Sequence, residues 1–132
     1  MTVRVLVVDD EPDVEALFRQ QFRREVRQRL YRLDFALSGE AALTKLDGCI
    51  GREIILLVSD INMPGMSGLD LLPEVKARRP ELPVFMISAY GDAERVRMAH
   101  ERGASKFLTK PVDFPQLKRD VSAVVADAGS GG

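Results

Sequence analysis

Five residues carry side chains suited to phosphoryl chemistry, and each stands at or just after the end of a strand-like run. Asp9 and Asp10 follow Val3 to Val8, a run broken only by Arg4. Asp60 comes after Ile54 to Val58 and Ser59, Ser88 closes Val84 to Ile87, and Lys110 follows Lys106 to Thr109. Three carboxylates in a small space repel one another, and one of them tends to take up a proton. A hard divalent cation removes that conflict. Mg²⁺ takes oxygen ligands in an octahedron and keeps several waters, so two or three carboxylates and a backbone carbonyl suit it. A carboxylate can also be a nucleophile, giving an acyl phosphate. A lysine and a hydroxyl would then meet the phosphoryl oxygens, in a reaction where positioning and charge neutralisation carry most of the catalysis. Singly, each residue has a plainer reading. Asp9, Asp10 and Asp13 suit a helix N-terminus, Asp60 could cap a turn, Ser88 could be a buried hydroxyl and Lys110 a solvated lysine. The joint pattern favours a site.

The five meet only if the runs are neighbouring strands pointing the same way. Val3 to Val8 reads as a strand buried on both faces. Pro12 suits the first turn of a helix, with Val14, Leu17, Phe18, Gln21, Phe22 and Val26 recurring at helical spacing. Arg32 to Leu37 alternates as a second strand, with Leu33, Phe35 and Leu37 on one side. Ser38 is a candidate N-cap for a helix ended by Asp47-Gly48. Ile54 to Val58 is the most apolar strand, and Leu69 to Arg79 a third helix that Pro73 could kink. Val84 to Ile87, then Asp92 to Arg102 closed by Gly103, then Lys106 to Thr109 give strand, helix, strand. A fifth helix carries Leu117, Val121, Val124 and Val125. Strand and helix alternate five times, which predicts a parallel sheet with helices on both faces. Ligands of such sheets bind at the carboxyl ends of the strands, where the five residues fall.

The bulk numbers agree with one globular domain. The chain has 132 residues, 45% hydrophobic and 30% charged, with a net charge of −1. Near-neutrality gives no general reason to bind nucleic acid. A single cysteine, Cys49, excludes an internal disulfide, and a reducing, cytoplasmic setting fits. No run approaches the about 18 apolar residues of a membrane span, so no membrane association is expected. The domain is expected over residues 1–128, with Gly129-Ser130-Gly131-Gly132 as a flexible tail or linker.

Four blocks then carry a resemblance. Val7-Val8-Asp9-Asp10-Glu11-Pro12, the stretch Ser59-Asp60-Ile61-Asn62-Met63-Pro64-Gly65-Met66-Ser67-Gly68, Ser88-Ala89 and Lys110-Pro111 look like the receiver domain of two-component response regulators. The likeness covers essentially the whole chain. It implies a flavodoxin-like (CheY-like) three-layer αβα sandwich, with a five-stranded parallel sheet in order 2-1-3-4-5 and five helices. It implies that Asp60 accepts a phosphoryl group from a sensor histidine kinase or phosphotransfer protein. Asp10 and Asp60 would ligate Mg²⁺ directly, Asp9 through water, and the Asn62 backbone carbonyl would complete the protein ligands. Lys110, beside a cis bond to Pro111, would pair with the phosphoryl group. Ser88 would be the switch hydroxyl and Phe107 the aromatic that swings with it, although an aromatic on a short strand also serves plain packing. Asn62 and Tyr90 match the positions that tune the acyl phosphate's lifetime. The downstream partner would be an output domain or an effector protein, and a homodimer is allowed.

The pattern departs from typical receivers in places. Arg23 to Leu33 and Asp47 to Glu53 look extended, and Gly103 to Lys106 lacks the acidic pair of winged-helix regulators. Arg19, Arg23, Arg24, Arg27, Arg29 and Arg32 form a stripe, read as a solvated face, with a docking surface for an acidic partner preferred to a nucleic-acid contact as the alternative. Two rival functions stand beside the switch: an aspartyl phosphatase, disfavoured because Asp9-Asp10-Glu11-Pro12-Asp13 lacks its motif, and a binding module that never uses its phosphosite.

Overall fold

The computed structural model describes residues 2–130, with side chains described through Ala128. The strands β1 (Arg4–Val8), β2 (Arg32–Ala36), β3 (Ile54–Asp60), β4 (Val84–Ser88) and β5 (Lys106–Thr109) form one sheet. Their order is β2-β1-β3-β4-β5 and every pairing is parallel, as the resemblance implied.

Alternation along the strands explains the layers. In β1, Val5 and Val7 join a core with Phe18, Phe22, Leu56, Val58, Phe85, Ile87, Leu117 and Val121. Leu6 and Val8 point the other way, to Ala42, Leu46, Leu57, Leu71, Leu72, Val75, Met86 and Ala99. The first core lies under α1 (Pro12–Gln21) and α6 (Phe114–Ser130). The second lies under α3 (Gly39–Asp47), α4 (Gly68–Arg78) and α5 (Ala93–Glu101). Both faces of the central strands are therefore covered, which is why they read as unbroken apolar runs.

Among the described residues six α-helices form where five were expected. The long first helix breaks at Phe22 (φ −103°, ψ 12°), and α2 (Arg23–Arg27) follows. Phe22 is buried against Phe18, rings stacked 5.7 Å apart, and meets Tyr31 and Phe114 edge-on. Keeping that ring in the core while the chain turns toward β2 bends the helix. The buried face of α1 is accordingly narrow: Phe18 is buried, whereas Leu17 is 43% exposed, and Val26 on α2 is exposed as well. Arg29 then takes the left-handed conformation (φ 60°) that ends α2, a place glycine usually fills.

Three other expectations change. Leu37 is 53% exposed and lies beyond β2, because the strand ends at Ala36 and Ser38 caps α3 through Ala41 N–H. Pro73 sits inside an unbroken α4, whose start is held by a capping box between Ser67 and Asp70. The last helix runs through Gly129 and Ser130, expected in the tail; Gly131 and Gly132 lie outside the described residues.

Candidate functional site

The parallel sheet sets the strand ends side by side, and the expected residues meet there. Asp9 follows β1, Asp60 ends β3, Ser88 ends β4 and Lys110 follows β5. Asp9, Asp10 and Asp60 each bring a carboxylate oxygen within 4.8 Å of the others. Lys110 Nζ donates to Asp60 Oδ2 at 3.0 Å. Asp60 is 5% exposed and Ser88 0%, so both groups depend on protein partners.

Those partners are largely backbone. Asn62 N–H donates to Asp60 Oδ1 (3.1 Å), and Glu11 N–H donates to Asp9 Oδ1 (3.0 Å). Ser88 Oγ accepts from Tyr90 N–H (3.0 Å) and from Asn62 Nδ2 (3.4 Å). Lys110 N–H donates to the Ser88 carbonyl at 2.9 Å, tying the lysine's backbone to β4, and its bond to Pro111 is cis. Phe107 is half-buried against the second core, opposite Met86 in the strand register.

Two glycines shape the loop after Asp60. Gly65 has φ 72°, a conformation side chains resist. Gly68 opens α4 so close to the strand end that a Cβ would lie 2.3 Å from the Asp60 carbonyl oxygen. Its N–H donates to Ile61 O (2.9 Å), closing the loop under the site.

The electrostatics show an excess of negative charge. Burial pushes the Asp9 carboxyl up to about 6, and the Asp60 charge adds to this, against the Glu11 N–H and Lys110. For Lys110, burial pulls downward, but the hydrogen bond and charge of Asp60, with Asp9 and Glu11, raise the ammonium above its ordinary value. One ammonium thus faces three carboxylates. The oxygen-only donor set and the uncompensated charge fit a divalent cation such as Mg²⁺.

Comparison with known proteins agrees. A profile of the response regulator receiver domain matches residues 5–122. The chain belongs to that family. It is 33% identical over 123 residues to the response regulator protein PilR of Pseudomonas aeruginosa, covering 92% of this chain and 26% of PilR. It is 35% identical over 123 residues to the two-component response regulator ORR3 of Oryza sativa, covering 92% and 89%. A response regulator receiver protein of Pseudomonas putida superposes with a TM-score of 0.81 at 30% identity, covering 93% and 98%. The chain therefore spans about a quarter of PilR and most of ORR3. As a receiver it is a signalling domain of two-component systems.

Two surfaces of the receiver separate cleanly. A cleft of about 540 Å³ adjoins the site, lined by Val14, Leu17, Phe18, Pro111 and Phe114, with Asp9 and Lys110 on its edge. A second cleft of about 590 Å³ is lined by Arg4, Arg19, Arg23, Arg27 and Arg32. Arg4 and Arg32 begin β1 and β2, so this cleft lies at the strand-start edge, opposite Asp60. Arg19, Arg23, Arg27 and Arg32 of the stripe thus line the strand-start cleft and not the one beside Asp9 and Lys110. His100 and Cys49 are exposed, and among the described residues no helix is long and apolar enough to cross a membrane.

Sequence reasoning missed Arg95. Its Nη1 donates to Asn62 Oδ1 at 3.3 Å, and its guanidinium lies 5.2 Å from the Tyr90 ring centre. A surface arginine on a polar helix gives no signal of this in one dimension.

Proposed function

We propose that the protein is a phosphorylation switch in which Asp60 accepts a phosphoryl group from a histidine kinase or phosphotransfer protein. The Lys110–Asp60 contact at 3.0 Å, inside a cluster of three carboxylates, carries this reading. An Asp60 carboxylate oxygen attacks phosphorus, and the bond from phosphorus to the donor breaks. Asp9, Asp10 and Asp60, with the Asn62 backbone carbonyl, would hold Mg²⁺, which when bound neutralises charge on the phosphoryl oxygens. Lys110 faces the same oxygens from β5. Ser88 Oγ only accepts hydrogen bonds in this state, which leaves its own proton to donate to a phosphoryl oxygen. Drawing Ser88 toward that oxygen takes it from Asn62 Nδ2 and Tyr90 N–H, and the half-buried Phe107 fills the space. The new state is then read by an output domain or effector.

The cleft of Val14, Leu17, Phe18, Pro111 and Phe114 is the docking face for the phosphodonor in this reading. It reaches the site's edge, and Leu17 is exposed for contact.

The deciding experiment treats the protein with Mg²⁺ and acetyl phosphate or beryllofluoride. The expected result is one adduct at Asp60 with an accompanying structural change. No adduct on the wild type, or equal labelling of Asp60→Asn, would overturn the reading. Release of phosphate from general monoesters over many turnovers would favour a phosphatase instead.

A further inference from the structure

We infer that Arg95 is a positioning residue that prolongs the acyl phosphate on Asp60, by holding the Asn62 side-chain oxygen away from the pocket water. The inference rests on Asp60 being the phosphoacceptor.

Asn62 stands two residues beyond Asp60 and is tied to it, N–H to Oδ1, at 3.1 Å. Asn62 is exposed, so its amide meets solvent beside Asp60. In this structure neither end is free. Oδ1 accepts from Arg95 Nη1 (3.3 Å), and Nδ2 donates to Ser88 Oγ (3.4 Å). Arg95 is itself held from two sides. Its guanidinium lies over the Tyr90 ring at 5.2 Å, and its Nε is 3.8 Å from Asp92 Oδ2, the residue that caps α5. A planar, fork-shaped cation suits this place, since it can stack on one group while donating to another.

The chemical consequence concerns water. Loss of the phosphoryl group requires a water oxygen to bond to phosphorus while the bond from phosphorus to the Asp60 oxygen breaks. The electron pair returns to the Asp60 carboxylate, and the water proton leaves with inorganic phosphate or solvent. An amide oxygen beside Asp60 can accept a hydrogen bond from that water and aim it. Arg95 Nη1 competes with that water for Asn62 Oδ1 and fixes the direction of the amide, and this hold remains when Ser88 turns to the phosphoryl group. Arg95 therefore keeps a competent water-orienting group out of use. Because Arg95 belongs to α5, a shift of that helix would release Asn62 and shorten the phosphorylated state.

The test measures the decay of the Asp60 adduct in the full chain after loading with labelled acetyl phosphate and Mg²⁺. Arg95→Ala is expected to shorten the lifetime roughly 3- to 10-fold, the scale of one hydrogen bond, and Arg95→Lys by less. In an Asn62→Ala background the Arg95→Ala change should disappear, because the two act as one unit. A purely structural role for Arg95 would persist in that background. An unchanged or longer lifetime in Arg95→Ala, or an equal shortening with and without Asn62, would overturn the inference. A wild type that takes no phosphoryl group at all would instead remove the Asp60 reading on which it stands.

Discussion

Lys110 Nζ stands 3.0 Å from Asp60 Oδ2 although 50 residues separate them in the chain. The contact exists because β4 lies between β3 and β5, and Ser88 O fixes the Lys110 backbone. Lys110 opposes the repulsion of Asp9, Asp10 and Asp60, but its side chain is 37% exposed, so solvent screens part of the effect. Lys110→Ala should lower the unfolding free energy at pH 8 by about 1–2 kcal/mol, less than for a fully buried pair. At pH 5, where Asp9 holds a proton, the loss should shrink. Urea unfolding at both pH values checks this, and an equal loss at each would show that the carboxylate cluster is not what Lys110 opposes.

Asp9 gives the receiver a pH dependence of defined sign. Burial raises its carboxyl from 3.8 to about 6 in the fold. Between those values the folded chain keeps a proton that the unfolded chain has lost. This contribution is therefore complete below the unfolded value and is lost as pH rises through about 6. At about 1.4 kcal/mol per pKa unit, the swing is about 2–3 kcal/mol. Metal-free wild type should lose that much relative to Asp9→Asn between pH 4 and 7, measured by urea titration with chelator present. Added Mg²⁺ should recover stability at pH 7 in the wild type more than in the variant. A constant gap between the two proteins across this range would contradict the assignment.

The strands and the residues at their ends were legible in the sequence. Strand-like runs ending at Asp9, Asp60, Ser88 and Lys110 mark them, while the order that makes those ends neighbours was implied by the family resemblance. The break at Phe22 was not legible, because it arises from ring packing with Tyr31 and Phe114 across the fold. Leu17 and Leu37 fit a periodic pattern and yet face outward, since periodicity gives a face but not its width or where the element stops. Arg95 was missed because it acts on Asn62, 33 residues away, and leaves no mark in local composition. Gly68 stood in the block that carries the resemblance, but its role, a clearance of 2.3 Å from the Asp60 carbonyl oxygen, shows only in the fold.

Pro73 lacks the N–H that would bond to Leu69 O, four residues back, so α4 should carry an orphan carbonyl there. Arg102, the C-cap of α5, supplies the donor: its Nη1 lies 2.8 Å from Leu69 O. This explains how α4 passes through a proline unbroken, and it clips α5 to α4. Arg102→Ala should destabilise the protein by about 1–2 kcal/mol, because it leaves a carbonyl under-satisfied. In a Pro73→Ala background, where the helix regains its own donor, the same substitution should cost less than half as much. Equal costs in both backgrounds would show that Arg102 acts elsewhere.

Leu17 separates phosphodonor docking from phosphoryl chemistry. It is 43% exposed and lines the same cleft as Asp9 and Lys110, while its apolar side chain carries no group that takes part in the chemistry. A charge there should oppose an apolar partner surface without altering the pocket. Leu17→Glu should therefore slow transfer from a cognate kinase by roughly 10-fold or more, the scale of a central apolar contact in an interface. Loading by acetyl phosphate should stay within about twofold, since a surface substitution away from buried groups changes stability by only about 0.5 kcal/mol. Arg23→Glu with Arg24→Glu provides the contrast. Arg23 lines the strand-start cleft with Arg4 and Arg32, and Arg24 is its neighbour on α2, so their reversal should leave kinase transfer far less affected than Leu17→Glu does. If the arginine reversal were the more damaging, the kinase would have to dock across the far edge of the sheet. The apolar cleft beside Asp9 would then lose its assignment.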